Sequence, residues 1–267
     1  MAATRTLRTP LAVTFAVWKA LFLREAVSRL AQDRISWIWI VVEPLAHLLI
    51  LIYFFSVGFR TKVIAGADLT TFLILGILGF FLLRNIMNRS MDAIDKSEAL
   101  FAFRQVKPFD AVVVRAPLET LLTGIMLLVM LVGAALFGHP IVPADPLGAL
   151  LALGALGLGG LGLGLVFSVL GNLVEEAKRV VRLMLTPLYL LSAVIYPSIA
   201  VPRSMRDAFL LNPIVHGVES LRIAFMPAYH VPPGIDLAYL VGFGLAMVFL
   251  GLALHVRYQS ELKAKAG

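Results

Sequence analysis

The chain has 267 residues, of which 60% are hydrophobic and 15% are charged, and its formal net charge is +7. A soluble domain carries about a quarter charged residues, so this composition is typical of a protein embedded in a bilayer. The absence of cysteine excludes disulfides, zinc–thiolate sites, iron–sulfur clusters and cysteine nucleophiles. In such a protein the positive charge is expected to mark the cytoplasmic side of the membrane, not a nucleic-acid surface.

Residues 1–34 are predicted to be cytoplasmic and to contain an amphipathic helix. From Phe22 onward, apolar residues fall on one helical face and Arg24, Glu25, Ser28 and Arg29 fall on the other. This pattern predicts a helix that lies in the membrane interface as an anchor. A regulatory or partner-docking role is the alternative.

Residues 35–257 are predicted to form an all-α transmembrane domain with six spans. A hydrocarbon core about 30 Å thick needs roughly 20 apolar residues of helix. The fifth candidate is short and ends at Tyr196 and Pro197. The six candidates are Ile35–Phe59, Leu69–Asn88, Pro108–Phe137, Leu147–Asn172, Leu183–Ala200 and Ile235–Val256.

The lysines and arginines predict the orientation. With an even number of spans and the N-terminus inside, 18 of the 23 basic residues lie on the cytoplasmic side. The positive-inside rule therefore predicts that both termini are cytoplasmic, including a short tail at residues 258–267.

Polar and aromatic side chains in the first span are candidates for a substrate pathway. Glu43 precedes Pro44, and His47 follows one helical turn later. Charged groups inside a membrane are costly and usually face a cavity or a partner. Two alternatives remain open: the aromatic residues are interfacial anchors, or Glu43 is the proton site of an ion-driven secondary transporter. The predicted pathway residues are Trp37, Trp39, Glu43, His47 and Tyr53.

Residues 90–107, between the second and third spans, are predicted to include one cytoplasmic helix. Met91, Ile94 and Phe101 would form an apolar ridge on it, and Phe103 would be a further anchor. Aromatic side chains presented to water commonly fill a partner's pocket. The alternative is a helix that lies on its own bilayer.

Two further patterns occur in the third and fourth spans. Arg115 and Glu119 are four residues apart, which predicts an ion pair within one helix. The segment from Gly148 to Gly171 contains GLGGLG, but it lacks the preceding strand that a dinucleotide fingerprint requires. Its small residues instead predict close packing against other helices.

Residues 197–230 are rich in proline and are predicted to form two short helices at the outer face. At about 1.5 Å per residue, RSMRDAFLL and PIVHGVESLRIAF reach roughly 14 and 20 Å, which is too short to cross a membrane. Asn212 is a candidate helix cap before Pro213. Their apolar spacing favours re-entrant helices over a surface loop.

Enzyme motifs are missing from the sequence. It contains no G-x-x-x-x-G-K-[ST] phosphate loop, no H-E-x-x-H metal motif and no G-x-S-x-G nucleophile motif. The five histidines are scattered singly and are expected to be hydrogen-bonded structural residues. The sequence predicts no catalytic residue and no metal site, and an intramembrane synthase is the least favoured function.

Five sequence blocks are distinctive: ALFLRE from Ala20, WIVVEPLAHLLIL from Trp39, LFAFRQVKPFD from Leu100, RAPLE from Arg115 and NPIVHGVESLRIAFMPAY from Asn212. In their order and spacing these blocks resemble the membrane subunit of ATP-binding-cassette exporters for capsular polysaccharide. Subunits that export O-antigen are similar more loosely, and a permease for O-antigen or a teichoic-acid-type polymer is the alternative assignment.

The resemblance implies a homodimer in the bacterial inner membrane that binds two copies of a separate ATPase subunit, where ATP and magnesium would be held. It implies export of a lipid-linked, acidic polysaccharide, continued by a periplasmic adaptor and an outer-membrane exporter. The implied ATPase-coupling residues are Asp95, Lys96, Ser97, Glu98, Phe101, Phe103, Arg104, Lys107, Pro108, Glu175, Glu176 and Arg179. The implied outer-gate residues are Tyr196, Pro197, Arg203, Arg206, Asn212, Pro213, His216, Glu219 and Arg222.

A polyanion requires a route with dispersed positive charge and without strong traps. Arg203, Arg206 and Arg222 fit that requirement near the predicted exit. The alternative is that these arginines bind lipid phosphates.

Overall fold

A computed structural model describes residues 9–31, 36–58, 63–103 and 105–264. Within those ranges the chain is almost entirely helical, with one two-stranded antiparallel hairpin, β1 (Val63–Ile64) and β2 (Ala67–Asp68). The helices are α1 (Pro10–Ala31), α2 (Ser36–Tyr53), α3 (Leu69–Met91), α4 (Ala93–Lys96), α5 (Pro108–Val113), α6 (Arg115–Leu136), α7 (Pro146–Leu173), α8 (Glu175–Leu191), α9 (Arg203–Leu210), α10 (Pro213–Phe225), α11 (Leu237–Arg257) and α12 (Gln259–Ala264). A π-helical turn at Phe54–Gly58 continues α2, and 3-10 turns occupy Glu98–Leu100 and Ser198–Ala200.

Five helical segments of the described chain are long and apolar enough to cross a membrane. They are Val41–Gly58, Leu69–Met91, Pro108–Leu136, Pro146–Leu173 and Leu237–Arg257. These segments match five of the six predicted spans, and all-α membrane architecture is therefore confirmed. The remaining candidate, Leu183–Ala200, is not among these five segments.

The predicted fifth span, Leu183–Ala200, is wrong in its bounds. The helix in this region is α8, which begins at Glu175 and ends at Leu191. Ala193 then takes a positive φ of 56°. The carbonyls of this unwound segment are satisfied by distant side chains: Asn212 donates to Leu191, and Arg222 donates to Ala193 and Val194. Irregular backbone is tolerated in an apolar setting when its polar groups are bonded in this way.

Helix α3 forms the centre of the bundle, and nearly all of its length is buried against α6, α7 and α10. Glycines of α7 allow the close approach that their spacing predicted. A Cβ atom at Gly160 would lie 2.8 Å from the Leu83 carbonyl, and one at Gly164 would lie 2.4 Å from the Ser90 Cβ. Larger side chains at these positions would separate α7 from α3.

One end of the bundle, called the α4–α5 end here, differs from the predicted single helix. Residues 90–103 contain the last turn of α3, the short helix α4 and a 3-10 turn. Met91, Ile94 and Phe101 are buried, so they do not form an exposed ridge. Ile94 and Phe101 pack in a second apolar cluster with α1, α5 and α12, which removes their surface from water.

Helix α1 packs across the α4–α5 end and begins at Pro10, twelve residues before the start suggested by the sequence pattern. Leu23 and Val27 are exposed, whereas Glu25 and Arg29 face other helices. The outward face of α1 is mainly apolar but also carries Lys19 and Arg24, and the interfacial anchor stays a prediction.

The opposite end, called the α9–α10 end here, carries the hairpin and the two short helices. Asp68 caps α3 and accepts a hydrogen bond from Thr71, and His139 lies 3.0 Å from the same carboxylate. Helix α10 is buried for most of its 13 residues against α3, α7 and α11, whereas α9 has no buried residue. Asn212 caps α10 as predicted, because its Oδ1 accepts from the Ile214 amide at 3.0 Å.

Candidate functional site

A groove of about 580 Å³ lies among α2, α3 and α8. Three of the five predicted pathway residues, Trp39, Glu43 and His47, line it from α2. The opposite wall combines aromatic, cationic and apolar groups of α3 and α8. The wall residues from these two helices are Phe80, Phe81, Arg84, Leu185, Thr186 and Tyr189.

Arg84 is the cation of this groove. Its guanidinium carbon lies 3.8 Å from the centre of the Phe81 ring, within the range of a cation–π contact. Nε and Nη2 donate to the Asn85 carboxamide oxygen at 3.2 and 3.1 Å. Nη2 also lies 3.5 Å from a carboxylate oxygen of Glu43. The stacking and the Asn85 contacts fix the plane of the guanidinium, while Glu43 is a distant partner.

His47 and Tyr189 continue the groove as a hydrogen-bonded aromatic pair. Their Nε2 and hydroxyl oxygen are 2.7 Å apart, and their rings are nearly perpendicular. Tyr189 also makes an edge contact with Phe80, with ring centres 5.2 Å apart. A surface of rings with polar edges can bind the apolar faces and hydroxyls of sugars.

The remaining two predicted pathway residues do not join the groove in this structure. Tyr53 lies further along α2, with an exposed side chain, and does not line it. The side chain of Trp37 lies outside the described part of the chain. The sequence prediction missed Arg84, Phe81 and Tyr189. The signal was an arginine inside the apolar run FFLLRN, because a charge at such a position is a functional candidate by default.

The predicted ion pair between Arg115 and Glu119 is wrong. Arg115 instead lies 3.2 Å from Glu25 of α1, and Glu119 pairs with Arg29 of the same helix. Arg89 lies 3.9 Å from Glu119. Burial lowers the pKa of Arg29, which stays a cation because arginine titrates so far above neutral pH. This charged network fastens α1 to α3 and α6 at the α4–α5 end.

The predicted coupling residues divide into exposed and buried groups. Phe103 is 63% exposed, whereas Phe101 is 9% exposed. Arg104 lies outside the described residues. The other exposed members are Asp95, Lys96, Glu98, Lys107, Glu175, Glu176 and Arg179, and the other buried members are Ser97 and Pro108.

Two ion pairs join α8 to the segment around α4 that carries several of the predicted coupling residues. Arg182 lies 2.6 Å from Asp92, and Lys178 pairs with Asp95. Partial burial lowers the pKa of Lys96, and the positive charge of Arg89 lowers it further. The first turns of α8 therefore share one charged surface with the segment that follows α3. We call Asp95, Lys96, Glu98, Phe103, Glu175, Glu176 and Arg179 the coupling surface.

Arg222 was predicted to attract polymer near the exit, but its side chain is not accessible to a polymer in this structure. Its side chain is fully buried, and its guanidinium carbon lies 3.5 Å from the centre of the Phe72 ring. It pairs with Glu219 at 3.1 Å and donates to the carbonyls of Phe72, Ala193 and Val194. Gly76 leaves room for this side chain, because a Cβ at that position would lie 2.2 Å from the guanidinium. Arg222 therefore has a structural role: it links α10 to α3 and to the unwound segment after α8.

The other predicted outer-gate residues lie in and around α9 and at the start of α10. Arg203 is exposed, and Arg206 is half-buried with its guanidinium near the Val201 carbonyl at 3.3 Å. Tyr196 contacts Phe209, with ring centres 6.4 Å apart, and Pro197 immediately precedes the 3-10 turn. Asn212, Pro213 and Tyr196 border an apolar hollow of about 820 Å³ between α8 and α9.

Each of the five histidines is hydrogen-bonded, as predicted. His216 accepts from the Asp236 amide at Nδ1 and donates to the Leu210 carbonyl. His255 bonds to Ser168 inside the bundle. His47, His139 and His230 bond to Tyr189, Asp68 and the Ala65 carbonyl. Within the described ranges, no three histidine or acidic residues are grouped as metal ligands.

The sequence is similar to known transporter proteins over most of its length. The pattern of the ABC-2 type transporter family matches residues 16–226. The chain is 35% identical to the polysialic acid transport protein KpsM of Escherichia coli, over 89% of this chain and 91% of that protein. It is 26% identical to the capsule polysaccharide export inner-membrane protein CtrC of Neisseria meningitidis serogroup A, over 91% of both chains. The corresponding protein BexB of Haemophilus influenzae is 22% identical over 93% of both chains. This chain belongs to the ABC-2 type transporter family of membrane proteins.

Proposed function

We propose that this chain is the membrane subunit of an exporter that moves lipid-linked, acidic capsular polysaccharide from the cytoplasm across the bacterial inner membrane. The observation that carries the proposal is the 35% identity to a polysialic acid transport protein over nine tenths of both chains. The groove supports it, because Arg84 and the aromatic rings beside it suit an anionic glycan.

Two copies of the chain would enclose the route, since one copy offers an open groove and not a closed pore. The α4–α5 end would face the cytoplasm, together with both termini. Six spans would follow if α8 crosses with the help of the unwound segment after Leu191. The helices α9 and α10 would then form a re-entrant outer gate, and a periplasmic adaptor and an outer-membrane exporter would continue the route.

The energy would come from a separate ATPase subunit, two copies of which would hold ATP and magnesium. The coupling surface is suited to receive that subunit, because it combines the exposed aromatic group of Phe103 with exposed charged side chains. The structure reduces the predicted contact set, since Phe101, Ser97 and Pro108 are buried within the chain itself.

The proposal is tested in cells from which the gene for this chain has been deleted. Surface polysaccharide is expected to disappear while polymer accumulates inside the cell, and the wild-type gene should restore export. Affinity purification of the tagged chain should also recover an ATP-hydrolysing subunit. Normal surface polysaccharide in the deletion strain would contradict the proposal.

A further inference from the structure

The groove contains an arrangement that goes beyond a general substrate route: a cation held in place by groups that do not neutralise it. Phe81 covers one face of the Arg84 guanidinium, and the Asn85 oxygen accepts from Nε and Nη2. Asn85 is uncharged, so these contacts orient the guanidinium and leave its charge intact. No hydrogen bond to Nη1 is present among the described residues.

Glu43 is the one carboxylate near this cation in the described groove, and its geometry is that of a weak partner. The shortest distance between the two groups is 3.5 Å, which is longer than a normal charge-assisted hydrogen bond. The Glu43 side chain is 66% exposed, whereas that of Arg84 is 25% exposed. Where water reaches the groove, an ion pair with one exposed member contributes little and is readily exchanged.

We propose that Arg84 is a carboxylate-binding subsite for acidic sugars, and that Glu43 occupies it as an internal stand-in when no substrate is bound. The inference rests on the proposed function and identifies the group in the groove that would distinguish acidic from neutral polymer. A sugar carboxylate would displace Glu43 and form two parallel hydrogen bonds with the guanidinium. Trp39 and Tyr189 would contact the sugar ring beside it.

This exchange explains how a polyanion could pass without being trapped. A free arginine in an apolar groove would bind each carboxylate strongly, and progress would require each contact to break. With Glu43 competing for the same guanidinium, the net gain from each sugar carboxylate is reduced, because one ion pair replaces another. A binding group inside a conduit must be weak enough to release its ligand.

Arg84 and Glu43 should therefore have opposite effects on binding. The full-length chain, in nanodiscs of phosphatidylcholine, is titrated with labelled hexagalacturonate and, separately, with labelled maltohexaose as the uncharged control. The wild type should prefer the acidic oligosaccharide. Arg84→Gln should weaken hexagalacturonate binding about tenfold, as expected for a charged hydrogen-bonding pair, and leave maltohexaose unchanged. Glu43→Gln should strengthen hexagalacturonate binding about two- to fivefold, the range of an exposed ion pair.

The Glu43→Gln variant should fold like the wild type, because an exposed side chain is replaced by one of the same shape. A change in its binding can therefore be assigned to the lost charge. Arg84→Lys is the matched control for charge, since lysine keeps the cation but loses the planar fork, and it should restore only part of the preference. Weaker acidic binding in Glu43→Gln, or an unchanged acidic preference in Arg84→Gln, would overturn the proposal.

A second set of nanodiscs containing phosphatidylglycerol distinguishes a sugar carboxylate from a lipid phosphate. The proposal expects hexagalacturonate binding to persist in these discs. Complete competition by the lipid, dependent on Arg84, would assign the site to a headgroup and overturn it. If the wild type binds neither oligosaccharide while deletion of the gene still abolishes export, the carboxylate site fails and the proposed function stands.

Discussion

Two arginines of this chain stack on phenylalanines of α3, but one arginine is fully buried and the other lines an open groove. Arg222 lies over Phe72 and is fully buried, with Glu219 and three backbone carbonyls as partners. Arg84 lies over Phe81 at a groove, with one neutral oxygen and one distant carboxylate. Arg222 uses its donors within the fold, whereas Arg84 keeps part of its guanidinium facing the groove, where we propose that a ligand binds.

The comparison also separates a buried site from an open one. Arg222 holds the unwound segment after α8, so its contacts are made within the chain and demand a fixed geometry. Arg84 lines an open groove, and we propose that its partner Glu43 is replaced by substrate there. Substitutions at the first site should therefore change stability, and substitutions at the second should change binding.

The largest effect is expected for Arg222→Met. The change leaves Glu219 buried without its cation and removes donors from the carbonyls of Ala193 and Val194. Loss of one member of a buried ion pair costs about 3–5 kcal/mol of unfolding free energy. Thermal unfolding of the full-length protein in detergent measures it. Arg203→Met, at an exposed site, is the matched control, and equal stability of the two variants would remove the structural role of Arg222.

A similar contrast is expected between two phenylalanines near α4. Phe101→Ala should lower the unfolding free energy by about 3 kcal/mol, because it leaves a cavity among α1, α5 and α12. Phe103→Ala should leave stability nearly unchanged and reduce the amount of ATPase subunit that copurifies. The two measurements are melting in detergent and quantitative affinity purification. Equal destabilisation by Phe103→Ala and Phe101→Ala would contradict the assignment of Phe103 to the exposed group and Phe101 to the buried group.

A small effect on stability is expected for the ion pair between Asp92 and Arg182, which joins the residue before α4 to α8. Both groups are partly exposed, so Asp92→Arg should cost about 1 kcal/mol or less. If the pair connects α4 to α8 during the transport cycle, Asp92→Arg should reduce export more than it reduces stability. The exchanged double variant, Asp92→Arg with Arg182→Asp, should recover export. Full export in the single variant would show that this connection is dispensable.

Much of the architecture could be predicted because long apolar segments have few alternatives in a membrane protein. The bounds of α3, α7 and α11 follow from hydropathy and length, and the close packing of α7 follows from its glycines. The end of α8 could not be predicted from its own residues. It depends on Asn212 and Arg222, which lie some twenty to thirty residues further along the chain and bind the unwound carbonyls.

Of the residues that line the candidate groove, the sequence predicted only those on α2. Glu43, His47 and Trp39 stand out in α2, and the structure confirms that they share a groove. Arg84 and Tyr189 belong to helices that meet α2 only in the folded bundle, so spacing along the sequence could not identify them. The predicted partner of Arg115 was wrong for the same reason. Glu119 is close to it in sequence, but Glu25 of α1 is the partner in the folded bundle.

The most direct test of the account is translocation by purified components. The chain is reconstituted into vesicles with a lipid-linked acidic polysaccharide, with and without the ATPase subunit that copurifies with it, and protection of the polymer from an added glycosidase is measured. We expect ATP-dependent movement only when both subunits are present. Movement driven by this chain alone would contradict the claim that it is a conduit powered by a separate motor.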